Sequence, residues 1–320
     1  MTPLATTTTA AAAIDRRAFL RVLGVLGAGG MLTACASSGS QVSEAASPQV
    51  STESDPGAGA VAEVAPDAEV SLAVVAATFE QLIDQPNPFV FGLFTLEQEP
   101  IEGASAQVYA VPSGGAAPVG PWQATPADAD VPPGGLYTVD ATFPDTGLHE
   151  VVVVVDDGRA GTVAVDVRDA STSQLPAPGQ QAQAVATPTE AEPLGYTKLC
   201  TRPEPCGMHD VSLEDALVGE EPVVLLFATP AFCQTAVCGP TVDVLEQVRR
   251  DDVGDVTFVH CEIFSDAGET IGDPVQAWNL PTEPWLFVIS PDGRIVRRAD
   301  GPVLVLADQV RSLINDGLSA

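Results

Sequence analysis

A continuous apolar run followed directly by two cysteines constrains the fold of this 320-residue chain more than any other feature. Residues 222–228 are apolar and include β-branched side chains, which is typical of a strand buried on both faces of an α/β sheet. Cys233 and Cys238 follow, and residues 242–248 repeat apolar side chains at helical spacing. The cysteines are therefore predicted at a strand-to-helix junction, where the unpaired N–H groups and the dipole of a helix stabilise a thiolate.

The remaining C-terminal sequence continues the alternation of strands and helices. Residues 255–263 and 285–289 predict two more buried strands, and a hairpin follows at 290–296. Residues 303–314 place apolar side chains on one face of a terminal helix. This order of elements around a cysteine pair resembles a thioredoxin-like α/β domain, and the resemblance covers about residues 211–319.

The resemblance implies roles for individual residues. It implies that Cys233 is the attacking thiolate, that Cys238 is the resolving thiol, and that Pro284 is a cis proline shaping the substrate groove. Pro281 fits the position of the cis proline less well. Glu283 would then approach the sulfurs and raise a thiol pKa by like-charge repulsion.

The spacing of the pair departs from ordinary thioredoxins, which have two residues between their cysteines where this chain has four. Within one regular helix this separation would exceed the roughly 7 Å between Cα atoms that a disulfide allows, so Cys233 is expected in the loop before the helix. The C-x4-C spacing also resembles peroxiredoxins of the bacterioferritin-comigratory type, although Pro230 stands where those enzymes have Thr or Ser. A structural disulfide and a copper-binding pair, as in copper chaperones, are further interpretations.

A second cysteine pair, Cys200 and Cys206, opens the C-terminal region. Two prolines lie between these cysteines, and a local structural disulfide is the favoured prediction for an exported protein. The alternative is a soft-metal site, for copper(I), formed by the same cysteines with Met208 and His209. Cys261 is predicted to be a buried free thiol.

The N-terminus carries the features of an export signal. Arg16 and Arg17 precede a short apolar run at 19–34, which ends in Leu-Thr-Ala-Cys at Cys35. The segment resembles a twin-arginine signal with a lipoprotein lipobox. The resemblance implies that residues 1–34 are a signal peptide and that lipid is attached to the sulfur of Cys35. The expected location is therefore the extracytoplasmic face of the cell membrane, where disulfides are permitted.

Composition divides the rest of the chain. Residues 35–70 are predicted to be a disordered tether, and residues 170–195 a linker that precedes the thioredoxin-like domain of 196–320. Between these stretches, residues 71–169 contain six β-type runs separated by turn signals, which predict a small antiparallel sandwich. The sequence 135–147 resembles the tyrosine corner of immunoglobulin-like domains. The predicted fold class is thus an all-β immunoglobulin-like sandwich followed by an α/β thioredoxin-like domain. The six runs are Ser71 to Ala77, Phe89 to Leu96, Ala106 to Val111, Tyr137 to Phe143, His149 to Val155 and Thr162 to Val167.

Charge limits the possible partners. The chain has 43 acidic and 13 basic residues, and its formal net charge of −30 excludes electrostatic capture of nucleic acid as a main activity. The expected function is thiol–disulfide exchange with protein thiols and disulfides of the cell envelope, with the membrane contacted through lipid on Cys35. No cofactor and no metal ligand are assigned. The alternatives are a copper-binding protein or metallochaperone, a non-catalytic envelope scaffold, and a peroxiredoxin-like peroxidase.

Overall fold

The computed structural model describes residues 56–127, 134–233, 237–251 and 254–319. Two β-sheets and five α-helices make up this part of the chain. The strands are β1 (Glu69–Val70), β2 (Leu72–Ala76), β3 (Gln81–Leu82), β4 (Asn87–Thr95), β5 (Ala106–Pro112), β6 (Val119–Pro126), β7 (Leu136–Ala141), β8 (Gly147–Val155), β9 (Arg159–Arg168), β10 (Val223–Phe227), β11 (Thr257–Cys261), β12 (Trp285–Ile289) and β13 (Ile295–Asp300). The α-helices are α1 (Pro56–Val64), α2 (Leu213–Ala216), α3 (Cys238–Arg250), α4 (Asp273–Ala277) and α5 (Ala307–Leu318), and a 3-10 helix spans Gly301–Val305.

The larger sheet has nine strands and nearly closes on itself. Its order is β1-β9-β8-β5-β6-β7-β4-β2, and β3 also pairs with β9. The neighbouring strands β1 and β2 pair at opposite ends of this order, so the two ends of the sheet lie side by side. Gly161 permits the close approach, because a Cβ atom there would lie 2.4 Å from the carbonyl oxygen of Leu72. Aromatic side chains fill the enclosed core, with Phe91 stacked between Phe89 and Tyr137.

All six β-runs predicted between residues 71 and 169 form strands of this sheet. The sequence did not predict β6, because Gly120, Pro121 and Pro126 within it are turn signals and most of its side chains are exposed. The segment Pro56–Val64, inside the predicted tether 35–70, forms helix α1, and its Ala60 and Val61 are buried. The predicted signal peptide 1–34 and lipidation site Cys35 lie outside the described residues.

The smaller sheet has four strands in the order β11-β10-β12-β13. Strand β10 runs parallel to β11 and antiparallel to β12, and β12 pairs antiparallel with β13. Every side chain of β10 and β12 is buried, because helices α3 and α5 contribute to the core on one face of the sheet, and α2 and the residues around α4 to the core on the other. None of the helices in the described part of the chain combines the length and apolar character needed to span a bilayer.

The two sheets share a hydrophobic core. Val90 of β4 is fully buried in the same cluster as Leu226 of β10 and Leu304, and Leu136 of β7 packs against that cluster. Close to this shared core, the N–H of Phe79 donates a hydrogen bond of 2.9 Å to the carboxylate of Asp300. The core therefore joins both sheets into one packed body.

The stretch 170–195, predicted as a linker, packs against the smaller sheet. Leu175 and Ala182 are buried in its core, and the N–H of Ala182 donates a hydrogen bond to the carbonyl of Gly293. The N–H of Ile295 in turn donates to the carbonyl of Gln180. This segment thereby extends the edge of the sheet beside β13.

The expected fold class, an immunoglobulin-like sandwich followed by an α/β thioredoxin-like domain, is wrong. Strand occupies 34% of the structure and helix 19%, and the nine-stranded, nearly closed sheet dominates the architecture. The described residues form one compact unit and contain no separate thioredoxin-like domain. The alternation of strands and helices after residue 211 predicted an independent domain. A local sequence pattern of this kind does not reveal that the region packs on the larger sheet.

Candidate functional site

Cys233 and Cys238 lie together between β10 and α3. Strand β10 ends at Phe227, a loop carries Cys233, and helix α3 begins at Cys238; residues 234–236 lie outside the described part of the chain. The backbone N–H of Cys238 donates a hydrogen bond to the sulfur of Cys233 at 3.4 Å. Cys238 is fully buried, whereas Cys233 is half-buried. Cys233 therefore lies in the loop ahead of the helix, as the spacing of the pair requires, and its sulfur faces the positive end of a 13-residue helix.

Glu283 completes this group. Its carboxylate and the sulfurs of Cys233 and Cys238 all lie within 4.8 Å of one another. The peptide bond between Glu283 and Pro284 is cis, as the resemblance to thioredoxin-like domains implies, and Pro284 immediately precedes β12. The pKa of the Cys238 thiol is raised, first by its hydrogen bond with Cys233, then by burial, and further by the negative charges of Cys233 and Glu283.

A second cluster gathers Cys200, Cys206, His209 and His260. The first three lie in the segment before α2, and His260 lies on β11. All four side chains are buried, and their ligand atoms lie within 4.8 Å of one another. The sulfur of Cys206 is 3.3 Å from Nε2 of His209 and 3.3 Å from Nδ1 of His260. Cys200 and Cys206, predicted to form a disulfide, carry free thiols in the structure.

The two thiols of this cluster influence each other. The pKa of Cys200 is lowered, mainly by the hydrogen bond from Cys206 and also by its contacts with His209 and His260. The pKa of Cys206 is raised by the same hydrogen bond and by burial. The two shifts have opposite directions because the Cys206 thiol donates its hydrogen bond to Cys200, which favours negative charge on Cys200.

Sequence reasoning did not include His260 in this cluster. The sequence does offer a signal for His260, since it is a histidine within a strand that is otherwise mostly apolar. Its partner Cys206, however, lies more than 50 residues earlier in the chain. The structure brings them together because the backbone N–H of His260 donates a hydrogen bond of 2.9 Å to the carbonyl of Met208. The neighbouring Cys261 belongs to the core on the other face of the sheet, as strand geometry requires. Burial raises the pKa of Cys261 to about 12, and the prediction of a buried free thiol is confirmed.

Hydrogen bonds connect the two cysteine clusters. Nε2 of His260 lies 3.1 Å from the carbonyl oxygen of Ala228, at the end of β10. The hydroxyl of Thr201 accepts a hydrogen bond of 2.9 Å from the N–H of Ala231, two residues before Cys233. The loop that carries Cys233 is thus held by the segment that contains Cys200.

No protein-family model matches the chain, and no curated protein matches it in sequence. Three solved structures are similar to parts of it. The Lin-41 filamin domain has 14% identity and a TM-score of 0.24, covering 31% of this chain and 93% of that one. The C-terminal domain of ZirS has 11% identity and a TM-score of 0.20, covering 52% and 99%. Domains 4 and 5 of the S-layer protein SbsC have 15% identity and a TM-score of 0.18, covering 30% and 50%.

These similarities are weak and assign the chain to no family. The predicted membership of the thioredoxin-like family is wrong, since the structure is mostly β and is dominated by a large, barrel-like sheet.

Proposed function

We propose that the chain carries out thiol–disulfide exchange with protein substrates through Cys233 and Cys238. The observation that carries this proposal is the hydrogen bond from the N–H of Cys238, the first residue of α3, to the sulfur of Cys233. A helix N-terminus stabilises negative charge, so this arrangement favours a thiolate on Cys233. The half-buried Cys233 is also the more accessible of the two sulfurs.

We assign the two sulfurs different steps. The thiolate of Cys233 attacks a substrate disulfide, forming a mixed disulfide and releasing one substrate thiolate. Cys238 then loses its proton and attacks the sulfur of Cys233, which releases the second substrate thiolate. The protein dithiol becomes a disulfide, and the substrate disulfide becomes two thiols. A dithiol reductant restores the starting state, and the reverse sequence oxidises a substrate dithiol.

The neighbouring residues modulate this chemistry. The hydrogen bond with Cys233 and burial raise the pKa of Cys238, the charge of Glu283 adds a smaller contribution, and together they keep the resolving thiol protonated before the mixed disulfide forms. The cis proline Pro284 follows Glu283 directly and would shape the substrate groove. We place the reaction at the extracytoplasmic face of the cell membrane on the basis of the N-terminal sequence alone, with lipid on Cys35 as the anchor.

The reduction potential of the pair tests the proposal. The reduced chain is equilibrated across a glutathione or dithiothreitol series, alkylated, and analysed by mass spectrometry for the state of Cys233 and Cys238. A potential between about −120 and −270 mV supports exchange. A bridge that stays oxidised below about −300 mV indicates a structural disulfide instead. Cys233→Ser is expected to abolish exchange with a disulfide substrate, whereas Cys261→Ser, a matched control on the other side of the sheet, is expected to retain it.

A second candidate function is metal binding by the same sulfurs. The observation that favours it is the carboxylate of Glu283 within 4.8 Å of both sulfurs, which makes a three-ligand group. A copper(I) titration distinguishes the two functions. Stoichiometric binding that is lost in the double variant Cys233→Ser/Cys238→Ser and kept in His260→Gln supports metal handling at this pair.

A further inference from the structure

We propose that Cys200, Cys206, His209 and His260 form a binding site for one Zn²⁺ ion. This site is distinct from the Cys233 pair, and it does not depend on the exchange function proposed above. Two sulfurs and two imidazole nitrogens are the ligand set of many structural zinc sites, which are four-coordinate and closed to solvent.

The distances agree with a tetrahedral site. Zinc–sulfur bonds of about 2.3 Å and zinc–nitrogen bonds of about 2.0 Å place ligand atoms about 3.6 Å apart across a tetrahedron. The sulfur of Cys206 lies 3.3 Å from a nitrogen of each histidine, and all four ligand atoms lie within 4.8 Å of one another. Small side-chain movements therefore bring the four atoms to bonding distance of a common centre.

The hydrogen bonds of His260 prepare it as a ligand. Its Nε2 atom lies 3.1 Å from the carbonyl oxygen of Ala228, and a carbonyl only accepts hydrogen bonds. Nε2 therefore carries the proton, and the lone pair of Nδ1 is directed at the sulfur of Cys206. Metal-binding histidines in proteins are commonly oriented in this way by a backbone carbonyl on the second nitrogen.

Charge and burial favour an ion at this place. All four side chains that would hold the ion are buried. Zinc binds cysteine as thiolate and histidine as neutral imidazole, so two thiolates balance the charge of the ion.

The surrounding chain also shows what the ion would stabilise. Residues 169–212 form no helix and only an isolated β-bridge at Gln181. A structural metal is one way in which proteins stabilise a segment that has little regular structure of its own. Three ligands come from this segment and His260 comes from β11, so the ion would fasten the segment to the smaller sheet.

Spectroscopy with cobalt(II) tests the site in the unmodified protein. The full chain is purified in its reduced state, its zinc content is measured, and the apo form is titrated with Co²⁺ and then with Zn²⁺. We expect one equivalent of zinc and, with cobalt, the intense visible bands of tetrahedral Co²⁺ together with thiolate-to-cobalt charge transfer. Addition of Zn²⁺ should remove these bands.

Variants assign the ligands. Cys206→Ser and His260→Gln are expected to weaken zinc binding by about 100-fold or more. Two controls are expected to bind zinc unchanged, namely Cys261→Ser, next to His260 in β11, and the double variant Cys233→Ser/Cys238→Ser. Loss of zinc binding in that double variant alone would show that the ion binds at Cys233 and Cys238 instead.

Three outcomes overturn the proposal: no zinc or cobalt bound by the folded, reduced chain; unchanged affinity in folded His260→Gln; or a Cys200–Cys206 disulfide found by mass spectrometry in chain isolated without reduction. Binding of copper(I) with no binding of zinc overturns the identity of the ion. None of these results alters the test of exchange at Cys233.

Discussion

The carboxylate of Asp300 accepts a hydrogen bond from the backbone N–H of Phe79, a residue 221 positions earlier in the chain. Asp300 ends β13 and is buried, and burial raises its pKa to about 7. The charge of Arg298 opposes this rise and that of Glu80 adds to it. One of the contacts that link the two sheets therefore involves a titratable side chain, that of Asp300.

Asp300→Asn is expected to change how stability depends on pH. The native state keeps the proton of Asp300 up to about pH 7, whereas an unfolded aspartate loses it near pH 4. The folded state thus binds more protons between these values, and the contribution of Asp300 to stability falls as pH rises through this window. Asparagine cannot ionise and keeps an oxygen for the N–H of Phe79. We expect the variant to exceed the wild type by up to about 4 kcal/mol at pH 8 and to match it near pH 4.

Urea unfolding of both chains at pH 4, 6 and 8 checks this prediction. Asp145→Asn, at an exposed position in the connection between β7 and β8, serves as the control. A difference between wild type and Asp300→Asn that is equal at all three pH values would contradict the assignment.

Glu80→Ala is expected to destabilise the chain strongly. Glu80 and Arg298 form an ion pair in which both side chains are almost fully buried, and Arg298 also lies 5.6 Å from the centre of the Trp285 ring. Removal of Glu80 leaves the buried guanidinium of Arg298 without its paired carboxylate, at a cost of about 3 to 5 kcal/mol. Chemical denaturation provides the measurement.

An exposed pair supplies the comparison for Glu80→Ala. Asp157 and Arg159 interact at the surface of the larger sheet, where water screens the charges, so Asp157→Ala is expected to change stability little. Similar losses of unfolding free energy in Glu80→Ala and Asp157→Ala would show that burial does not determine the contribution of the Glu80–Arg298 pair to stability.

Gly301→Ala is expected to weaken the contact between the sheets. Gly301 has a φ of +68°, and a Cβ atom there would lie 2.6 Å from the carbonyl oxygen of Ala77. Gly158 has a φ of +88° with nothing near its Cβ position, so Gly158→Ala measures the cost of the backbone conformation alone. That cost is about 1 kcal/mol. Gly301→Ala should lower the free energy of unfolding by clearly more than Gly158→Ala does. Equal losses in the two variants would show that the backbone at Ala77 moves away at no energetic cost.

Glu283→Gln is expected to accelerate the second step of exchange. The charge of Glu283 contributes to the raised pKa of Cys238, so its removal lowers that pKa and increases the fraction of attacking thiolate at a given pH. A coloured aromatic thiol coupled to Cys233 reports the step through its release. We expect release several times faster than in the wild type, and an unchanged rate in Glu269→Gln, which alters an exposed carboxylate of the same half of the chain. A rate that Glu283→Gln leaves unchanged would remove this residue from the mechanism.

The sequence predicted those features that depend on neighbouring residues. Strands such as Val223–Phe227 and Trp285–Ile289 are apolar runs, and the cysteine pair lies directly beside one of them. The two-domain fold was not predicted correctly, because the burial of Val90 beside Leu226 depends on packing between distant segments. The same limit applies to His260, which meets Cys206 only because β11 lies beside the segment that ends at Met208. The Asp300–Phe79 contact, across 221 positions, leaves no local signal at all.

The core shared by Val90, Leu226 and Leu304 has a consequence for how this chain can change during evolution. Gene rearrangement readily exchanges modules whose boundaries fall in exposed connections with few contacts across them. A break between the two sheets of this protein would instead leave apolar side chains on both fragments facing water. We therefore expect homologous proteins to contain both sheets together. Insertions should be tolerated at surface turns and not where the two sheets pack against each other.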